Sequence, residues 1–82
     1  MAIYWYEKAA KFGNPEAQFW LGRHYDTVDE EKVFYFFKKA AEGGHAHGQY
    51  LLGWCHQNGI GTKADNQQAT FWYKKSGYDY YI

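Results

Sequence analysis

Residues 9–22 read AAKFGNPEAQFWLG, and residues 40–53 read AAEGGHAHGQYLLG. From Ala9 to Ala40 the shift is 31 residues, and Ala, Ala, Gly, Gln, Leu and Gly all fall in register. A third, partial copy follows, because FWYKKS at 71–76 echoes YFFKKA at 35–40 after a shift of 36 residues. A period in this range belongs to arrays of small units, none of which can bury a core alone. Each unit contacts only its neighbours, so the expected fold is a solenoid and not a globule built around one active site. The question of function therefore moves from catalysis to surface recognition.

The residues in register resemble the Sel-one-like repeat, a relative of the tetratricopeptide repeat. The pattern is carried by Ala2, Trp5, Tyr6, Lys8, Ala9, Ala10, Gly13, Asn14, Ala17, Gln18, Leu21, Gly22 and Tyr25. The second unit supplies Val33, Phe36, Phe37, Lys39, Ala40, Ala41, Gly44, Gln49, Leu52 and Gly53. The stretch from Asn58 to Asp65 is similar to that family's glycine-containing connector, with Ile60 expected to plug between helices. The resemblance spans residues 2 to 76. It implies antiparallel helix pairs stacked into a right-handed α/α superhelix, and a role as an adaptor or scaffold for protein complexes. Three departures stand out in the second unit: His45 replaces Asn14, Gly48 replaces Ala17, and His56 replaces Tyr25. Asp26-Thr27-Val28-Asp29 makes the first unit's connector the shorter one.

Composition agrees with packed helices. A chain of 82 residues allows one domain. Its units are expected at about 2–28 and 29–64, with a partial unit at 65–77 and a tail at 78–82. Aromatic residues make up 23% of the sequence, and Ala and Gly are their small partners. Large rings against small residues let helices approach closely without leaving gaps. Nine Lys plus Arg balance nine Asp plus Glu, so charge gives no reason to expect nucleic acid as a partner. No apolar run approaches the length of a membrane span. The opening residues reach Glu7 and Lys8 too soon for a signal peptide. A single cysteine, Cys55, fits a reducing and hence cytoplasmic setting.

The local signals predict five helices, over about 2–12, 15–26, 29–43, 46–57 and 65–77. Asn14-Pro15-Glu16 reads as N-cap, first-turn proline and acidic first turn. Asp29 and Asp65 are expected caps, and His45 takes the same place ahead of the fourth helix. Gly22 and Gly53 each follow a leucine within a helix, where glycine costs about 1 kcal/mol against alanine. They are read as places where a neighbouring helix comes too close for a side chain.

No chemistry-bearing constellation competes with this reading, and neither a cofactor nor a catalytic or metal site is expected. His45, His47, Cys55 and His56 could suggest metal. However, His47 and Cys55 are eight residues apart, about 12 Å by helical rise, and cannot converge on one ion within a straight helix. His56 follows Cys55 directly, so on a helix it points well away from the thiol and is a poor base for it. Gly59-Ile60-Gly61 lacks the Gly-Lys-Ser/Thr that completes a phosphate loop. The one enzyme alternative comes through the resemblance, since cysteine-rich relatives have been linked to β-lactam hydrolysis. They carry paired cysteines in each unit, and this chain has Cys55 alone.

The candidate partner-binding residues are a ladder on the first helix of each unit: Tyr4, Tyr35 and Phe71, each with a lysine four residues later, Lys8, Lys39 and Lys75. Residues at that spacing share a helix face. The ladder is expected to line a concave surface that takes other proteins or peptides. Apolar faces at the two ends of so short an array also suggest a piece of a longer repeat protein or self-association, with the tail at 78–82 as an alternative cover.

Overall fold

The turn between the first two helices shows how the sequence places them. Asn14 accepts the Ala17 N–H through its side chain at 3.0 Å, with Pro15 in the first helical position. Gly13, at φ +85°, supplies the left-handed residue that lets the chain leave the preceding helix. His45 repeats the device with a different chemistry, its Nδ1 accepting the Gly48 N–H at 3.0 Å. Asp29 caps the third helix through Lys32 N–H, and Asp65 the fifth through the amides of Gln67 and Gln68. The computed structural model, which describes residues 2–25 and 29–77, accordingly runs α1 (Ala2–Lys11), α2 (Pro15–His24), α3 (Glu30–Glu42), α4 (Ala46–Asn58) and α5 (Asn66–Ser76). There is no strand among the described residues. The tail at 78–82 and Asp26, Thr27 and Val28 of the first connector lie outside them.

Successive helices pack against one another in order, and α2 also touches α4. That second contact runs through Phe19, whose ring stacks on His45 at 4.6 Å and approaches His47 at 5.8 Å. Among the described residues, no Cα of α1 comes within 8 Å of one in α3, nor any of α3 within 8 Å of one in α5. The result is an all-α repeat solenoid with its first helices standing apart.

One packing device recurs. Phe37 of α3 is 1% exposed and rests on Gly22 of α2, where an added Cβ would stand 2.6 Å from the ring. Tyr73 of α5 rests in the same way on Gly53 of α4, at 2.8 Å. Its hydroxyl donates to Gln57 Oε1, a further tie to α4. Gly48 has a related reason, because a Cβ there would come within 2.9 Å of Ala40 Cβ. What read in sequence as a departure from alanine is the residue that lets α4 lie against α3. Ile60, half-buried, packs on the central cluster of Phe19, Val33, Phe37 and Leu52 as expected.

Two glutamines repeat a second device. Gln18 donates through Nε2 to the Ala10 carbonyl, and Gln49 to the Ala41 carbonyl, each at 3.2 Å. These carbonyls lie in last turns and also accept the Gly13 and Gly44 N–H groups at 2.9 and 3.0 Å, so each glutamine adds a second donor. The in-register Gln is thus a clamp between adjacent helices.

Replacing Gly22 or Gly53 by alanine should destabilise the fold. Alanine gains about 1 kcal/mol of helix propensity, but overpacking costs about 1–3 kcal/mol. Gly53→Ala should be the worse of the two, because its Cβ also meets the backbone carbonyl of Ala69 at 3.1 Å. Urea unfolding of both variants checks this, and a stabilised Gly53→Ala would show that the ring is not seated as described.

Candidate functional site

The open space between α1 and α3 forms a cleft of about 800 Å³. α1 contributes Tyr4, Glu7, Lys8 and Lys11 to its wall, α3 contributes Tyr35, Phe36 and Lys39, and α2 forms the floor with Gln18 and Leu21. Tyr4 and Tyr35 are 66% and 52% exposed, far more than a packing role needs. Lys39 Nζ lies 5.8 Å from the centre of the Tyr35 ring, the reach expected for a lysine stem lying over an aromatic one turn away. Glu7 is turned toward Tyr25, whose hydroxyl lies 3.5 Å from Oε2.

A second, shallower cleft lies between the end of α3 and α5, above α4. Glu42, Gln49, Trp72 and Lys75 are among its lining. The structure thus brings Tyr4, Lys8, Tyr35 and Lys39 into one cleft and places Lys75 in the next. Phe71 is 53% exposed and meets Trp72 edge-on at 5.0 Å, but it lines neither cleft. Reasoning from the sequence missed Gln18, Gln49, Lys11, Phe36 and Trp72. Their signal was present for the glutamines, which recur in register, but it pointed equally to packing.

Several apolar residues of α1 are less covered than their repeat equivalents in α3. Phe37, Ala40 and Ala41 of α3 are no more than 1% exposed. Their repeat equivalents in α1, Tyr6, Ala9 and Ala10, are only half-buried. Tyr6 stacks on Trp20 at 6.4 Å, and Trp5 and Phe12 stand 60% and 84% exposed nearby in sequence.

The histidines and the cysteine have structural surroundings. Cys55 is fully buried in the central cluster, and His56 meets the Phe34 ring edge-on at 5.5 Å. Among the described residues no group of three or more His, Cys, Asp or Glu could hold a metal ion. His45 sits below the usual imidazole range, chiefly because it is partly buried and secondly because His47 is near, with Glu16 opposing. Burial also lowers His56, with Asp65 opposing and Lys38 adding to the effect. His56 Nδ1 is buried without a hydrogen-bond partner among the described residues.

The sequence matches the Sel1 repeat at residues 1–14, 15–45 and 46–78, nearly the whole chain. The chain belongs to the Sel1 repeat family. The matches cut the chain just before α2 and α4, so each full unit joins α2 to α3 or α4 to α5. Those two pairs pack more extensively than α1 with α2 or α3 with α4. Among solved structures, the chain is similar to a protective antigen present in uropathogenic Escherichia coli strains and displaying an SLR fold. The identity is 38% and the TM-score 0.84, over 90% of this chain and 17% of that one. The chain therefore spans less than a fifth of that protein's length. No curated protein matches the chain.

The two histidines predict a pH effect on stability. Burial holds each below the ordinary imidazole pKa of 6.5, so the folded protein binds fewer protons than the unfolded chain. Their contribution is fully present above about pH 6.5 and is lost as pH falls from there through the folded values. For His45 the loss has a visible cause, since a protonated Nδ1 no longer accepts the Gly48 N–H. Unfolding free energy measured from about pH 7 to 5 should decline, and the decline should be shallower in His45→Asn, which keeps a capping acceptor. An unchanged decline in a His45→Asn, His56→Gln double variant would rule these groups out.

Proposed function

We propose that this Sel1 repeat chain is a protein-interaction module, an adaptor or scaffold, whose peptide partners dock on the face formed by α1, α3 and α5. The observation that carries the reading is the cleft between α1 and α3, where Tyr4, Lys8, Tyr35 and Lys39 converge above Gln18 and Leu21. Exposed rings supply contact area at low entropic cost, and the lysines steer an acidic partner toward it. A binding role is favoured over β-lactam hydrolysis or other catalysis by where the nucleophile types sit. Cys55 is buried in the core, and Ser76, the chain's one serine, is buried with its hydroxyl donating to the Tyr73 carbonyl. A cytoplasmic setting agrees with the lone buried thiol.

A second reading concerns association through α1. Its Tyr6, Ala9 and Ala10 stripe is half-buried where the same stripe of α3 is sealed by α2 and α4. Covering it with another helical unit, from a second copy or from further repeats, would complete the packing seen at α3. Sedimentation of the wild type and of Tyr6→Glu separates association through this stripe from a monomer.

The docking reading predicts that capture of partners from cell extract, followed by mass spectrometry, yields proteins whose binding depends on Tyr35. Tyr35→Ala should weaken such binding by about 1–2 kcal/mol or more with the helical spectrum unchanged. Arg23→Ala, on the exposed side of α2, should bind as the wild type does. A partner indifferent to Tyr35 and Lys39 but sensitive to Arg23 or Trp54 would move the site to the second helices.

A further inference from the structure

The two clefts share part of their lining at the chain's repeat period. Gln18, Phe36 and Lys39 line the first, and Gln49, Trp72 and Lys75 hold the same places in the second. The glutamines are 31 residues apart, and the other two pairs 36. Surface clefts with no common role need not share a floor, an aromatic wall and a cation at the chain's own period.

The glutamines are the informative part. Gln18 and Gln49 are 8% and 6% exposed, so each amide is largely removed from water. Each directs Nε2 to a helix carbonyl, which fixes the way the amide faces. That leaves Oε1 without a hydrogen-bond partner among the described residues, and neither oxygen is sealed from solvent. A rigidly held acceptor at the floor of a cleft suits a ligand's N–H, because its position costs nothing to organise on binding. Two such acceptors, one per unit, suit the backbone of a chain running from one unit to the next.

One lining position differs between the copies in a way that discriminates. Lys11 borders the first cleft, and its repeat equivalent, Glu42, borders the second. The first cleft has Lys8, Lys11 and Lys39 against Glu7, a surplus of positive charge. The second sets Glu42 against Lys75.

Resting on the docking reading above, we propose that the partner is one extended peptide crossing both clefts, its backbone N–H groups held by Gln18 and Gln49 and an acidic side chain held in the first cleft by Lys11. Lys11 and Glu42 then set which charges are accepted along the peptide, while the glutamines hold any sequence.

An array of acetylated decapeptide amides of varied sequence, probed with the full chain, tests this. Ten extended residues span about 33 Å, against 37 Å for the longest dimension of the protein. Bound peptides should be enriched in Asp or Glu at one position. Lys11→Glu should replace that enrichment by Lys or Arg, and Glu42→Lys should add a second acidic preference further along the peptide. In the tightest array peptide, N-methylation at two backbone positions should weaken binding roughly tenfold each, the loss of one buried hydrogen bond. Gln18→Met should abolish the penalty of one methylation and Gln49→Met that of the other. A purely structural role for the glutamines would instead lower the affinity of methylated and unmethylated peptides alike. If a methionine variant fails to fold, the Lys11→Glu and Glu42→Lys exchange still decides, since both side chains are exposed. Peptides that bind but ignore residues 11 and 42, or methylation effects that ignore the glutamines, overturn this inference and leave docking intact. An array that binds nowhere overturns the docking reading and this inference with it.

Discussion

The seat of an aromatic ring on a bare glycine backbone is the contact on which the stack depends. Phe37 on Gly22 and Tyr73 on Gly53 join α2 to α3 and α4 to α5. Each seat combines a large apolar area with close helix approach, which a pair of medium-sized side chains cannot do. Burying a ring of that size is worth about 1.5–3 kcal/mol, and the glycine beneath it gives back about 1 kcal/mol of helix propensity. The exchange is favourable only because the ring fills the space that the missing side chain leaves. An 82-residue chain has few such contacts to spare.

Seating the rings also sets the clefts. The glutamine clamps and small residues draw adjacent helices together, and Phe19 draws α2 toward α4 through His45 and His47. No comparable contact draws α1 to α3 or α3 to α5. The first helices therefore stand apart with α2 and α4 as floors, and each gap becomes a cleft. The clefts are a consequence of how the stack is held, not a separate feature laid over it.

Much of this was legible in the sequence because it depends on small residues at regular intervals. Gly22 and Gly53 could be recognised since glycine after leucine in a helix has no local rationale, and Asn14, Asp29 and Asp65 since caps are chemically specific. The helices fell within a residue or two of their expected bounds, α2 ending earliest against expectation, at His24. Gly48 was harder, because its reason is the distance to Ala40 on another helix, which no local pattern encodes. The site was legible in part. Spacing of four placed Lys39 over Tyr35, and period placed Tyr4 beside them. It could not show that Phe71 lies off the lining while Trp72 lies on it, since that depends on how α5 is rotated on α4. The Oε1 of Gln18 was invisible too, because one in-register residue serves as clamp and as cleft floor.

Each first helix divides its labour between two faces two residues apart in sequence. Phe37 and Tyr73 occupy the position whose ring points to the preceding helix, with Tyr6 their equivalent in α1, and Tyr4, Tyr35 and Phe71 occupy the position two residues before. Successive residues on a helix turn by about 100°, so a step of two points nearly to the opposite side. Lys8, Lys39 and Lys75 return to the outward side one turn after Tyr4, Tyr35 and Phe71. A substitution at an outward position leaves the glycine seat untouched, whereas one at an inward position breaks it. The cleft lining can thus differ between units, as Lys11 and Glu42 do, without disturbing the repeat that positions it. That separation explains why Ala, Gly, Gln and Leu keep the period while the charge at Lys11 and Glu42 does not. The stack specifies where the clefts lie, and the residues free of the stack specify their charge.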